Sequence, residues 1–173
     1  TQPKKIPVKK ENRAIKLKSD SKIYFYNRGL AKFLLQKYAD AIRDFDEAIK
    51  LDQKYSMSYL YRGKSKYFID TPIEALKDYN SAILYDKRNS QAFYTRSFLK
   101  EDLEIYDDAL DDINHAIDID QEDSDFFYQR GRLKFKFEKY QESKDDFNQA
   151  INLGANDTEL FLFLGTSNSQ LGN

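Results

Sequence analysis

Apolar and small residues fall on two alternating stripes in this chain. Tyr59, Gly63 and Tyr67 lie at i, i+4 and i+8; after a short break, Ala75, Tyr79 and Ala82 follow at i, i+4 and i+7. Both spacings keep side chains on one face of an α-helix, so the pattern predicts two amphipathic helices joined by a tight turn. One phrase then returns along the chain as DFDEAI (44–49), DYNSAI (78–83), DINHAI (112–117) and DFNQAI (146–151), 34 residues apart each time. Gly29, Gly63, Ser97, Gly131 and Gly165 keep the same step, as do Arg28, Arg62, Arg96 and Arg130, and Lys32, Lys66, Lys100 and Lys134. A period of this length means stacked helix hairpins, none of which buries its apolar face alone.

The breaks inside the hairpins read Gln36-Lys37-Tyr38, Asp70-Thr71-Pro72, Glu104-Ile105-Tyr106 and Glu138-Lys139-Tyr140. Pro72 suits the first turn of a second helix, where its missing N–H costs nothing. The recurring glycines are the less obvious feature, because Gly in a helix interior costs about 1 kcal/mol against Ala. Repeating that cost marks a place where two helices nearly touch. The facing small residues are Ala41, Ala75, Ala109 and Ser143, with Phe45, Tyr79, Ile113 and Phe147 filling the gap beside them.

This pattern resembles the tetratricopeptide repeat (TPR) family, whose units carry an aromatic near their start, a glycine one turn later and the Ala–aromatic–Ala run of the second helix. Here the first aromatic is Phe25, Tyr59, Phe93, Phe127 and Phe161, and the last small residue is Ala48, Ala82, Ala116 and Ala150. The resemblance spans 22–173, as units 22–55, 56–89, 90–123 and 124–157 with a partial unit 158–173. It implies an all-α fold, a right-handed superhelical solenoid of antiparallel helix hairpins. The chain departs from the family's pattern where Arg and Lys replace usually apolar and aromatic positions in four units. It also lacks the frequent inter-unit proline, having Gln53, Lys87, Gln121 and Ala155 there. The fifth unit stops at Asn173 after the very apolar run Leu160-Phe161-Leu162-Phe163-Leu164. The expectation is that the native chain continues, or that this surface docks on a partner.

Charge adds a second layer. The net charge of -1 hides a basic arm, residues 1–21, with seven Lys or Arg against Glu11 and Asp20, a net of +5 that leaves -6 on the remainder. Such an arm suits a solvated linker or the stub of a preceding element, or else a contact with nucleic acid or an anionic membrane. There is no Cys, hence no disulfide or thiolate metal site, and no apolar run long enough to span a bilayer. Within the repeats, each of Arg28, Arg62, Arg96 and Arg130 precedes Asp44, Asp78, Asp112 or Asp146 by 16 residues. Two readings stand: a basic stripe that binds acidic peptides or phosphates, or an internal ladder of ion pairs that sets repeat register.

By the TPR resemblance, a protein or peptide partner binds along the concave face made by the first helices. That face would be lined by Tyr26, Leu30, Phe33, Leu60, Lys64, Tyr67, Tyr94, Phe98, Tyr128, Arg132 and Phe135, with Glu101 and Asp125 among its charged positions. Tyrosine offers contact area at low entropic cost, which suits peptide recognition; the same rings also suit packing between adjacent first helices. The Lys, Asn and Arg positions with which some TPR co-chaperones clamp a chaperone's C-terminal carboxylates are not filled here, so that clamp is not expected. Nor are catalysis and a cofactor. His115 stands alone on a second helix, the acidic cluster Asp107-Asp108-Asp111-Asp112 spreads around a helix without a glycine-centred calcium loop, and no phosphate-cradling loop is present.

Overall fold

The structure is a computed structural model that describes residues 21–172, so the basic arm, apart from Ser21, lies outside the described residues. Among these the chain forms nine α-helices: α1 Lys22–Leu34, α2 Tyr38–Leu51, α3 Ser56–Phe68, α4 Pro72–Tyr85, α5 Ser90–Asp102, α6 Tyr106–Ile119, α7 Ser124–Lys136, α8 Tyr140–Asn152 and α9 Thr158–Gln170. First helices begin at residues 22, 56, 90, 124 and 158, and second helices at 38, 72, 106 and 140. The 34-residue period is therefore kept in space as well as in sequence. The chain divides into two compact units, Thr1–Tyr85 and Asp86–Asn173. The first contains the hairpins α1/α2 and α3/α4, the second α5/α6, α7/α8 and the single helix α9.

Local chemistry explains where the helices start and stop. Side chains of Ser21, Asn89, Asp123 and Asp157 accept backbone N–H groups at the starts of α1, α5, α7 and α9. Each hairpin turn passes through one left-handed residue, Gln36, Asp70, Glu104 or Glu138, with φ between 58° and 61°. The following N–H reaches back to the last-turn lysine carbonyl: Lys37 to Lys32 at 2.9 Å, Thr71 to Lys66 at 3.0 Å, Ile105 to Lys100 at 2.8 Å and Lys139 to Lys134 at 3.0 Å. This bond satisfies a carbonyl that the helix end leaves free and reverses the chain in two residues. Pro72 opens α4, as its residue type predicts.

The core is the seam between first and second helices. Ala41, Phe45 and Ala48, Ala75, Tyr79 and Ala82, and Ala109, Ile113 and Ala116 are all buried there, as are Phe147 and Ala150. A Cβ built on Gly29 would sit 2.8 Å from the Phe45 ring, on Gly63 2.6 Å from Tyr79, and on Gly131 2.6 Å from Phe147. The third hairpin solves the same contact in another way. Ser97 replaces glycine, the smaller Ile113 replaces the ring, and the Ser97 hydroxyl donates to the Ala109 carbonyl at 2.8 Å. In the fourth hairpin the matching hydroxyl is on the second helix, Ser143 donating to the Gly131 carbonyl at 2.9 Å. At Gly165 in α9 a Cβ would meet nothing within 4 Å.

Candidate functional site

The Arg–Asp spacing of 16 residues closes into four rungs of one geometry. Nε of Arg28, Arg62, Arg96 and Arg130 donates to one carboxylate oxygen of Asp44, Asp78, Asp112 and Asp146 at 2.9, 2.9, 2.8 and 3.0 Å. The guanidinium also meets the other oxygen at 2.5, 2.5, 2.5 and 2.6 Å. Lys32, Lys66, Lys100 and Lys134 close each rung at 2.7, 2.8, 2.9 and 2.8 Å. Each aspartate is almost wholly buried. Burial alone would push the Asp44 carboxyl up, but the hydrogen bonds from Arg28 and Lys32 outweigh it and hold the group below the ordinary carboxylate range. The reading of this row as an internal ladder is the one the structure bears out: its cations are committed within the fold, not offered as a stripe.

The ladder has two further attachments. Each arginine lies over the aromatic three residues before it: Arg28 over Phe25, Arg62 over Tyr59, Arg96 over Phe93 and Arg130 over Phe127, at 5.2 to 5.6 Å from the ring centroid. Arg62 also reaches Asp46 of the preceding hairpin at 2.6 Å, and Arg130 reaches Asn114 at 3.2 Å. Bidentate pairing, ring stacking and a bond to the neighbouring repeat all suit the planar guanidinium, which lysine does not reproduce. In α9 the arginine position is Leu164, and Phe161 is left 46% exposed. His115 is exposed and stacks on Phe93 at 5.3 Å, its Nδ1 2.8 Å from the Asp111 carbonyl. Of the acidic cluster on α6, Asp112 belongs to a rung and Asp108 pairs with Lys100.

On the first-helix face of the first unit, the expected rings converge on a residue that the sequence reading did not single out. Tyr61 lies 5.9 Å from Tyr26, 5.6 Å from Phe33 and 6.1 Å from Phe45, with the Lys64 ammonium 5.3 Å above it. Tyr26 also meets Tyr55 edge-on at 5.4 Å, and burial, with a smaller effect from Tyr61, pushes its phenol up to about 12. Phe33 continues to Tyr38 and Phe68, and Tyr67 meets Phe68 edge-on. Leu30 is half-buried on α1. Leu60, expected on the face, is 1% exposed and belongs to the core, where it offers no surface to a partner. Several of these rings remain half-buried, so packing between first helices uses only part of their area.

Lys64 is the isolated charge on this face, since among the described residues no carboxylate pairs with it. Burial alone pulls its ammonium below the ordinary lysine value of 10.5. The charged form is thus disfavoured by folding throughout the neutral range, and the penalty disappears once pH exceeds 10.5 and both states are neutral. Lys64→Met, which keeps the stem and removes the charge, is expected to raise the melting temperature at pH 7. The gain should shrink as melts are repeated towards that alkaline limit.

In the second unit the expected residues form two groups. Phe98, Tyr128 and Arg132 stack, with the guanidinium 5.5 Å from the Phe98 centroid and 5.8 Å from Tyr128. Arg132 does not point its charge outwards. It pairs with the buried Glu101 at 3.2 Å, and Glu101 also accepts from Gln129 at 2.7 Å and meets Lys136 at 3.3 Å. Phe135 packs on Tyr140 at 5.4 Å and Phe163 at 5.2 Å. The second group frames a cleft of about 360 Å³ whose lining includes Tyr94, Asp125, Tyr128, Asn156, Asp157 and Leu160. The Tyr128 hydroxyl donates to Glu159 at 2.9 Å, and Tyr94 packs against Phe126 at 5.2 Å. Burial pushes the Tyr94 phenol up to about 12, with the charges of Asp125 and Asp123 adding to the effect.

Comparison with known proteins agrees with this architecture. Family profiles described as tetratricopeptide repeat match residues 23–55 and 124–157. No curated protein matches the chain by sequence. Among solved structures, a MamA protein superposes with a TM-score of 0.76 at 17% identity, over 87% of this chain and 82% of its own. YrrB, described as a TPR protein with an unusual peptide-binding site, gives 0.76 at 18% identity, over 94% and 84%. Pseudomonas aeruginosa pilF gives 0.81 at 16% identity, over 90% and 71%. Among the described residues no helix is long and apolar enough to cross a membrane, and no group of three or more His, Cys, Asp or Glu side chains is placed to hold a metal ion. With the repeated rungs and hairpin seams in agreement, residues 23–55 and 124–157 are matched as tetratricopeptide repeats, and the chain has the all-α hairpin fold of tetratricopeptide repeat proteins.

Proposed function

We propose that the chain is a protein-interaction scaffold. In this reading its first-helix faces bind a peptide or protein partner without turnover, as part of a larger chain or assembly. The carrying observation is the set of half-buried aromatic side chains on those faces. Tyr26, Phe33, Tyr94 and Tyr128 are neither sealed into the core nor freely solvated. Such rings present rigid apolar area with a polar tip, the composition that anchors interfaces.

The test selects twelve-residue peptides from a random display library on the immobilised chain and measures their affinity by fluorescence anisotropy. Phe33→Ala or Tyr94→Ala is expected to weaken binding about tenfold or more. Lys77→Glu and Asp118→Lys, exposed on the second helices α4 and α6, should leave it unchanged. Full affinity in both first-helix variants, with helical circular dichroism preserved, would sink the proposal. Arg132 is a poor choice for such a test, because reversing its charge would set a second carboxylate against Glu101.

A further inference from the structure

We propose that the cleft framed by Tyr94, Tyr128, Asp125 and Asp157 receives a lysine or arginine side chain from a partner peptide. The proposal rests on the scaffold reading and adds the chemistry of one subsite.

Three observations carry it. The first is shape: the cleft has walls from three elements, with Tyr94 on α5, Asp125 and Tyr128 on α7, and Asn156, Asp157 and Leu160 on the turn before α9 and on α9 itself. Its volume of about 360 Å³ exceeds what one long side chain requires. The second is chemistry. Two tyrosine rings with carboxylates beside them match a cation on an apolar stem, the rings meeting the stem and the ring quadrupoles adding to the carboxylate field. The third is an imbalance. Asp112, Asp146 and Glu101, the acids buried in this unit, each hold at least two cationic partners. Among the described residues no Lys or Arg pairs with Asp125 or Asp157, and the nearby Arg132 is committed to Glu101.

The rest of the unit gives this imbalance a sign. Residues 86–173 carry ten Lys and Arg against nineteen Asp and Glu, a net of -9, whereas residues 1–85 carry +8. The positive ends of α7 and α9 do not cancel the field at the cleft. Asp123 and Asp157 already accept the Asp125 and Glu159 N–H groups, at 3.0 and 2.7 Å. Each caps its helix through one oxygen, and the other oxygen of Asp123 accepts from Gln91 Nε2 at 3.3 Å. Burial, with Asp125 and Asp120 adding, raises the Asp123 carboxyl despite those bonds. One more cation would relieve this crowding.

The test is an NMR titration of the intact chain, following the Tyr94 and Tyr128 ring signals. The probes are N-acetyl-arginine methylamide and N-acetyl-lysine methylamide, with the norleucine and glutamate analogues as neutral and anionic controls. The cationic amides are expected to give saturable shifts that weaken as salt rises from about 0.02 to about 0.3 M. Asp125→Asn with Asp157→Asn should reduce their affinity about fivefold or more. Asparagine preserves the cap at residue 157, and Asp125→Asn alone, at an exposed site, serves if the double variant unfolds. Equal shifts from norleucine methylamide, or undiminished affinity in the variants, would overturn the proposal.

The peptide selection separates this failure from that of the scaffold reading. Selected peptides that need Phe33 or Tyr94 but carry no excess of Lys or Arg, and that ignore the asparagine variants, would leave the scaffold standing and remove the cation subsite. Absence of any selected binder would count against the scaffold, while the titration still decides the cleft. Dimerisation through residues 1–20 of a second copy, abolished by the same variants, would reassign the cleft to self-association and overturn the partner assignment.

Discussion

Replacing Asp78 with alanine is expected to remove about 3–5 kcal/mol of stability, because it leaves two desolvated cations without their anion. Arg62 and Lys66 are 18% and 20% exposed, and both close on this carboxylate. The lower end of that range applies, since Arg62 keeps its contact with Asp46 of the preceding hairpin. Denaturant unfolding followed by circular dichroism measures the loss. Asp46→Ala is the control: it breaks an ion pair to the same arginine, but Asp46 is half exposed and the cost should stay below about 1 kcal/mol. A triple change, Asp78→Leu with Arg62→Met and Lys66→Met, should recover much of the loss, because an apolar cluster replaces a buried ionic one at little net cost. Similar losses for Asp78→Ala and Asp46→Ala would show that burial does not decide the worth of a rung. The ladder also sets an acid limit. Asp44 titrates below its ordinary value of 3.8, so its contribution is complete above that pH and is lost as pH falls through the lower folded value.

The second large effect lies at the helix seam. Gly63→Ser is expected to cost about 1–3 kcal/mol, because the new Cβ would sit 2.6 Å from the Tyr79 ring and 3.2 Å from the Ala75 carbonyl. Better helix propensity offsets only part of this. Adding Tyr79→Ile to Gly63→Ser copies the Ser97/Ile113 pair of the third hairpin, where the serine hydroxyl bonds the facing carbonyl. The two changes should therefore be less destabilising together than the sum of the singles, with a coupling of about 1–3 kcal/mol in a double-mutant cycle. Additive losses would mean that ring volume is not what excludes a side chain at residue 63. Gly165→Ala is the internal comparison. No atom stands within 4 Å of the added carbon, so the same class of substitution should be neutral or stabilising there.

The parts of the fold that were legible in the sequence are those that repeat. The helix starts, the hairpin seam and the Arg–Asp rung recur at one spacing, so a constraint invisible in a single copy stands out in four. What escaped is what occurs once or changes partner. The Glu101, Gln129, Arg132 and Lys136 network joins different positions of successive hairpins, and no spacing announces it. Arg132 was legible as a charge on the binding face, but its buried acid was not. Tyr61 escaped because it stands one residue after Leu60: the residue expected on the face lies in the core, and its neighbour gathers Tyr26, Phe33 and Phe45. The left-handed turn residues also gave no signal: Gln36, Glu104 and Glu138 are not types that favour positive φ, and the fixed turn length imposes it on them.

The rungs also govern how this gene can change length. A residue added within the second helix before Asp44, or before its counterparts, turns the aspartate about 100° around its helix and away from its arginine. One added between Asp46 and Arg62 disturbs the ion pair that, beside the Tyr61 ring contacts, joins the first two hairpins. Point substitutions leave the frame intact, whereas insertions and deletions within these helices shift it, and the step is 34 residues in every unit of this chain. The turn before α9 is different. It follows the last rung and contains Gly154 at φ 99° with open space around it, so an added residue there parts no arginine from its aspartate. A change of length at that joint leaves every rung closed.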